Sequence, residues 1–171
     1  LDLNPRALKR IDDIYRGTVD TVFSTAHEIE KELLESDLVI GAVLVPGAKA
    51  PTLVPDELVA RMKPGSVLVD VAIDQGGCFE SSRPTTHDDP VYKVHDSLFY
   101  CVANMPGAVA NTSTQALANA TLPYALALAE HGWPGAAKVL PGLSDGLMTH
   151  EGSLRNQFVA EALDLEYAPA E

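Results

Sequence analysis

The stretch Ala72-Ile73-Asp74-Gln75-Gly76-Gly77 carries the side chain with the most chemical promise, an aspartate set between an apolar run and two glycines. The glycines leave the backbone open to a flat ligand, and a carboxylate held partly out of water there can orient a substrate or assist a proton transfer. Asp74 could equally accept amide hydrogen bonds in a turn. Asn104, followed by Met105, could hydrogen-bond a carboxamide or cap a turn, and Ser24 could contact an adenosine or merely end a strand. Lys49 and Arg83 could meet an anion, although lone basic residues in polar loops are usually just solvated. His87, His95, His131 and His150 lack ligand or triad spacing, so surface or packing roles are expected for all four. Cys78 and Cys101 have no CxxC and no clustered His around them, which points away from a structural zinc or a disulfide framework and toward two ordinary buried thiols.

The elements that must position these groups follow from periodicity. Leu8, Ile11, Ile14 and Tyr15 recur at helical spacing after Asn4-Pro5, predicting a helix over 5–15 that Asn4 caps and Gly17 stops. Residues 18–23 alternate with a β-branched bias and predict a strand closing at Ser24, followed by a second helix over 26–34. The run Leu38-Val39-Ile40-Gly41-Ala42-Val43-Leu44 is continuously apolar, the mark of a strand covered on both faces in a parallel sheet. Two prolines and a glycine keep residues 45–51 irregular, and loops at the carboxyl end of such strands bind ligands. A short helix over 55–62 with Asp56 and Glu57 in its first turn, a buried strand over 67–71, a loop-rich stretch through His95 and a strand over 98–102 follow. From Thr112 the period changes: Ala116, Leu117, Ala120, Leu122, Leu126 and Leu128 predict a long apolar helix to Glu130, kinked at Pro123. A Pro- and Gly-rich patch from Trp133 to Gly146 precedes a final helix over 154–163, with Val159, Leu163 and Leu165 as its apolar side.

Repeated strand and helix alternation with short loops predicts an α/β fold, a Rossmann-type doubly wound parallel sheet over residues 1–111. Residues 112–171 are expected to be a connecting helix and a C-terminal helical part of a second domain. In such a sheet Asp2, at a strand end before a helix, is where dinucleotide-binding folds place the carboxylate that accepts hydrogen bonds from the adenosine ribose, a group that repels a 2′-phosphate and favours NAD over NADP. A helix-start aspartate favoured by the macrodipole is the alternative. The chain opens at Leu1 in mid-pattern, without the glycine loop expected upstream, so an incomplete chain with the sheet truncated at its N-terminus is expected.

The 171 residues are 46% hydrophobic and 21% charged, the composition of a folded globular chain. Against 12 Lys and Arg stand 24 Asp and Glu, a net charge of −12 that repels phosphate backbones and anionic lipid, so neither nucleic acid nor a membrane is an expected partner. No apolar run reaches the roughly 20 residues that span a bilayer, and LDLNPRALKR reads as neither a signal nor a transit peptide, so a cytoplasmic protein is expected.

Taken together, residues 37–51, Met62-Lys63-Pro64-Gly65-Ser66, residues 70–80, Ser82-Arg83-Pro84-Thr85-Thr86 and Tyr100-Cys101-Val102-Ala103-Asn104-Met105-Pro106 strongly resemble the alanine dehydrogenase/pyridine nucleotide transhydrogenase family, and within it the bacterial alanine dehydrogenases. The resemblance implies an NAD-dependent enzyme that interconverts L-alanine with pyruvate and ammonia, hydride passing between the substrate Cα and the nicotinamide. It implies that Asp2 holds the adenosine ribose, Ser24 lies near the adenosine, and Val43 and Leu44 pack along the cofactor. Val71, Ala72 and Ile73 would approach the nicotinamide half, Val102, Ala103, Asn104 and Met105 would line its side, and Asp74 would be the catalytic carboxylate that positions the water or ammonia adding to the substrate carbon. The family's substrate-holding Arg and Lys and its His acid/base lie in a region that precedes this sequence, so the chain resembles the C-terminal half of such an enzyme and is expected to be inactive alone. Relatives form homohexamers, and the helix from Thr112 to Glu130 is compatible with that. Where many relatives carry a basic residue near the ribose this chain has Ala7, with Arg6 adjacent.

Three other readings compete. The soluble NAD-binding subunit of proton-translocating transhydrogenase shares the nucleotide domain, but that family tends to carry Glu where Asp74 stands. A non-catalytic nucleotide-binding or assembly module is a second. A flavodoxin-like response domain fits the alternation but not the glycine-bearing loops after the strands.

Overall fold

The computed structural model describes residues 1–45 and 49–169, and they fall into two compact units. The first runs from Leu1 to Leu44 and from Ala50 to Ala103; the second runs from Asn104 onward and includes Val45 and Lys49. Of the loop expected over 45–51, Pro46, Gly47 and Ala48 lie outside the described residues.

In the first unit α1 (Pro5–Tyr15) has the expected bounds: the Asn4 side chain accepts the Arg6 amide, and Arg16 and Gly17 leave the helix in left-handed conformations. Helix α2 (Ala26–Glu35) starts where the Thr25 hydroxyl accepts the Glu28 amide at 3.2 Å. Strand β1 (Leu38–Gly41), helix α3 (Asp56–Val59), strand β2 (Val67–Asp70), a 3₁₀ helix (Val71–Gln75) and strands β3 (Val91–Val94) and β4 (Ser97–Tyr100) complete the unit. The sheet order is β1-β2-β4-β3, with β1, β2 and β4 parallel and β3 antiparallel to β4. This is the α/β, Rossmann-like architecture expected, with a mostly parallel sheet.

Three expectations are corrected here. Residues 18–23 do not form a strand: only Phe23 pairs, in a single parallel bridge with Asp2, since alternation without a ladder partner leaves no hydrogen bonds to hold a strand. Strand β1 stops at Gly41 and is not covered on both faces, because it is the edge of the sheet and leaves Leu38 and Ile40 more than half exposed. Strand β3 falls within the stretch expected to be loop. It is a short edge strand closed onto β4 by the two residues His95 and Asp96, with His95 left-handed (φ 50°), a turn without the Asn-Gly signature that marks hairpins in sequence. The core gathers Leu68, Phe99 and Cys101, all fully buried, with Phe99 edge-on to Phe79 at 5.9 Å between centroids and tilted against Tyr92 at 5.5 Å.

In the second unit a 3₁₀ helix (Met105–Val109) leads into α4 (Ala110–Val139). The helical dihedrals are interrupted at Gly132 (φ 64°, ψ 179°), a conformation open to glycine alone, while Pro123 lies inside the helix with helical dihedrals. Beyond it lie α5 (Gly142–Asp145), a hairpin of β5 (Thr149–His150) and β6 (Ser153–Leu154), and α6 (Gln157–Leu163). The final helix therefore starts later than 154, because Leu154 pairs with Thr149 and Asn156 caps α6 by accepting the Val159 amide. Its buried residue is Ala160; Val159 is half-buried, while Leu163 and Leu165 are exposed.

Candidate functional site

Parallel pairing sets Gly41 beside Asp70, so the chain leaves β1 and β2 side by side. Ala42, Val43 and Leu44 from the first exit, and Val71, Ala72, Asp74 and Gln75 from the second, line one cavity of about 270 Å³. Five of these side chains are apolar, and Asp74, exposed, sits among them with Gln75. The strand-end position read from the sequence is thus the position at which two exits converge. Leu44 is 73% and Val71 49% exposed, apolar surface that an aromatic ring could cover.

The 3₁₀ helix that carries Asp74 ends at Gly76 (φ 93°) and Gly77 (φ 80°), after which Cys78 and Phe79 return against β1. The fit is tight, since a Cβ on Gly41 would stand 2.3 Å from the Cys78 sulfur and 2.7 Å from Cζ of Phe79. The Gln75 carbonyl accepts the Ala50 amide at 2.9 Å, tying this segment to the chain beyond the loop after β1.

Beneath it lies Asp70, fully buried and not singled out in the sequence. Its Oδ1 accepts the Ala72 amide at 3.0 Å and the Cys78 thiol at 3.6 Å. Its Oδ2 accepts the Cys78 amide at 2.9 Å, the Phe79 amide at 3.4 Å and the Ser82 hydroxyl at 2.5 Å. Burial, and then the neighbouring Asp70 charge, push the Cys78 thiol up to about 12. The one available signal was an aspartate interrupting the otherwise apolar run from Val67 to Val71.

The remaining predicted residues divide. Val43 is half-buried and packs on the core, and the Ile73 side chain belongs to the core itself, so Ile73 can reach a ligand through its backbone only. Asp2 and Ser24 are brought together, the Ser24 amide donating to the Asp2 carbonyl at 3.0 Å. The Asp2 carboxylate is exposed and accepts the Asn4 amide at 2.7 Å, the local helix-entry role weighed above. Val102 is fully buried and bridged to Thr85, while Ala103 is exposed. Asn104 (φ 58°) opens the 3₁₀ helix of the second unit with its carbonyl accepting the Gly107 amide at 2.9 Å, and Met105 beside it is half-buried.

Among the groups expected to be peripheral, Arg83 lies 3.9 Å over the Tyr92 ring and Lys49 is exposed. His95 Nε2 is 2.7 Å from Asp56 Oδ2, and the Ser81 hydroxyl, more than His95, holds the Asp56 carboxyl below its ordinary range. Both cysteines are buried and unpaired as disulfides. Among the described residues no group of three or more His, Cys, Asp or Glu could hold a metal ion, and no helix is long and apolar enough to cross a membrane. A second cavity of about 330 Å³, in the second unit, has Trp133, Lys138, His150 and Arg155 among its lining and was not legible in the sequence.

Comparison with known proteins gives the family of the chain. The family described as alanine dehydrogenase/PNT, C-terminal domain, matches residues 1–157. An alanine dehydrogenase of Mycolicibacterium smegmatis is 58% identical over 99% of this chain and 46% of its own length, and one of Halomonas elongata is 58% identical with the same coverage. Among solved structures an L-alanine dehydrogenase superposes with a TM-score of 0.80 at 45% identity, over 95% of this chain and 45% of that one. A transhydrogenase from Sinorhizobium meliloti is more distant, with a TM-score of 0.67 at 25% identity over 91% of this chain and 41% of that one. The chain therefore spans about half the length of the relatives it matches.

Proposed function

The chain belongs to the alanine dehydrogenase/PNT C-terminal domain family, and from that premise we propose that it forms the nucleotide side of an NAD-dependent L-alanine dehydrogenase. The reaction is L-alanine plus NAD and water giving pyruvate, ammonium and NADH, reversibly. One observation carries the reading: a single carboxylate, Asp74, stands among apolar walls where the exits of β1 and β2 converge.

The residues present fit a nicotinamide nucleotide. Val43, Leu44, Val71 and Ala72 offer apolar surface to a planar ring, and Ile73 offers backbone. Asp2 and Ser24, joined through their backbones, would take the adenosine ribose side. Val102, through its backbone, and Ala103, which follow β4, would extend the nicotinamide side. Bound NAD supplies the hydride acceptor. Asp74 complements it at the substrate: the carboxylate accepts a hydrogen bond from the water or ammonia that attacks the substrate carbon, aims the lone pair, and takes up a proton as the new bond forms. The same reading carries a cytoplasmic homo-oligomer, hexameric by family likeness, and the apolar side chains exposed along α4 agree with it.

The test is NADH formation from L-alanine and NAD by the complete gene product that contains this sequence, compared with its Asp74→Asn variant. The parent should be active and the variant should lose about 10²–10⁴-fold in kcat while still binding NADH. An inactive parent that binds NADH would move the assignment to the transhydrogenase subunit. Full activity in Asp74→Asn would remove Asp74 from the chemistry.

A further inference from the structure

We propose that Asp70 is a positioning residue for Asp74: its buried carboxylate fastens both ends of the segment between them and the returning chain, and thereby holds the backbone on which Asp74 reaches the cavity. The proposal rests on the catalytic reading of Asp74 given above.

The geometry is that of a clamp. Oδ1 takes the amide of Ala72, at the start of the 3₁₀ helix, while Oδ2 takes the amides of Cys78 and Phe79, beyond its end. The Ser82 hydroxyl closes the ring of donors at 2.5 Å. A carboxylate with no exposure to water is costly unless its lone pairs are met, and here three backbone amides, a hydroxyl and a thiol meet them. The fastened segment needs such a clamp, because Gly76 and Gly77 are both left-handed and glycine has little preference of its own to stay there. Gly77 also cannot be replaced to stiffen it, since a Cβ would stand 2.6 Å from Cβ of Ser82 and 2.8 Å from Asp70 Oδ2. Asp70 does not line the cavity, so it reaches the chemistry only through the segment it holds.

Asparagine has the same shape and the wrong polarity. Whichever way its amide turns, an NH₂ faces backbone N–H donors that offer it no acceptor. Ser82→Ala is the gentler change, removing one donor from a half-buried position.

The experiment uses the complete gene product as parent, Asp74→Asn, Asp70→Asn and Ser82→Ala. It measures kcat per NADH-binding site, KM for L-alanine, and the pH profile of kcat/KM. Asp70→Asn should lower kcat per NADH site by about 10²-fold, as expected when a reacting group is misplaced by about an ångström, and should displace the limb of the profile that Asp74→Asn abolishes. Ser82→Ala should do the same in the same direction by a few-fold. A residue that merely stabilises the fold would lower the yield of NADH sites and leave kcat per site and the pH limb where they were, and that result overturns the proposal. If Asp70→Asn does not fold, Ser82→Ala decides alone by the same two readouts. Full activity in Asp74→Asn would overturn the catalytic reading itself and this proposal with it, a failure distinct from an inactive Asp74→Asn beside an unaltered Asp70→Asn.

Discussion

Leu68, Phe79 and Phe99 of the sheet unit are all but sealed from water, whereas Leu117, Leu122 and Leu126 along α4 stand more than half exposed, and the one residue α4 buries is Ala136. Both regions are rich in apolar residues, so composition does not separate them. What separates them is patterning against a partner. Parallel strands β1, β2 and β4 share an interior with Ile29 and Leu33 of α2 and Leu58 and Val59 of α3, while α4 leaves most of its large apolar side chains exposed. The sheet unit thus draws its stability from burial, and α4 draws little from the same residue types. The segment that carries Asp74, the proposed functional group, has the first kind of support.

Phe99→Ala breaks the comparison hardest. Phe99 is fully buried between Phe79 and Tyr92, and its loss should cost about 3–5 kcal/mol, read as a fall in the denaturant midpoint of the sheet unit. Gly41→Ala tests the opposite error, crowding. With Cys78 and Phe79 already within 2.7 Å of the added Cβ, overpacking should cost about 1–3 kcal/mol and also displace the returning chain that closes the candidate site.

A third test uses the proton. The Cys78 thiol titrates at about 12 in the folded chain, raised above its ordinary 9.0, so unfolding above pH 9 releases a proton. A group raised in the folded state favours folding below its ordinary pKa, and that contribution is lost as pH rises toward the folded value. The parent should therefore lose stability relative to Cys78→Ser steadily from about pH 9 to about pH 12, measured as the difference between their denaturant midpoints. A constant difference across that window would show that the thiol ionises in the folded chain as easily as in the unfolded one.

The same contrast explains what was legible in the residues alone. Helix α1 was readable to its ends because Asn4, Pro5 and Gly17 act locally, each on a neighbouring amide or its own dihedral. Asp74 was readable as a candidate because two glycines after a strand suggest a close backbone approach. Asp70 was not, because its donors come from Ala72, Cys78, Phe79 and Ser82, a set that exists only once the chain has turned back. The fully buried Val102 could not be told from a cavity wall such as Val43, since apolar residues serve both positions. Strand β3 escaped for a related reason: an edge strand of alternating burial, paired on one side, leaves a weak hydrophobic signal.

The smallest effect is the most pointed. Leu122→Ala on α4 removes a side chain that is 54% exposed and replaces it with the best helix former, so lost contacts and gained propensity nearly cancel. In the 171-residue chain the unfolding free energy read from the denaturant midpoint should change by no more than about 0.5 kcal/mol, against the several lost at Phe99. A cost comparable to Phe99→Ala would mean that Leu122 is packed in solution, and that the apolar circumference of α4 is a core surface after all. A negligible cost leaves the helix as the sequence pattern and the burial together describe it, an apolar element whose stability in this chain comes from its backbone.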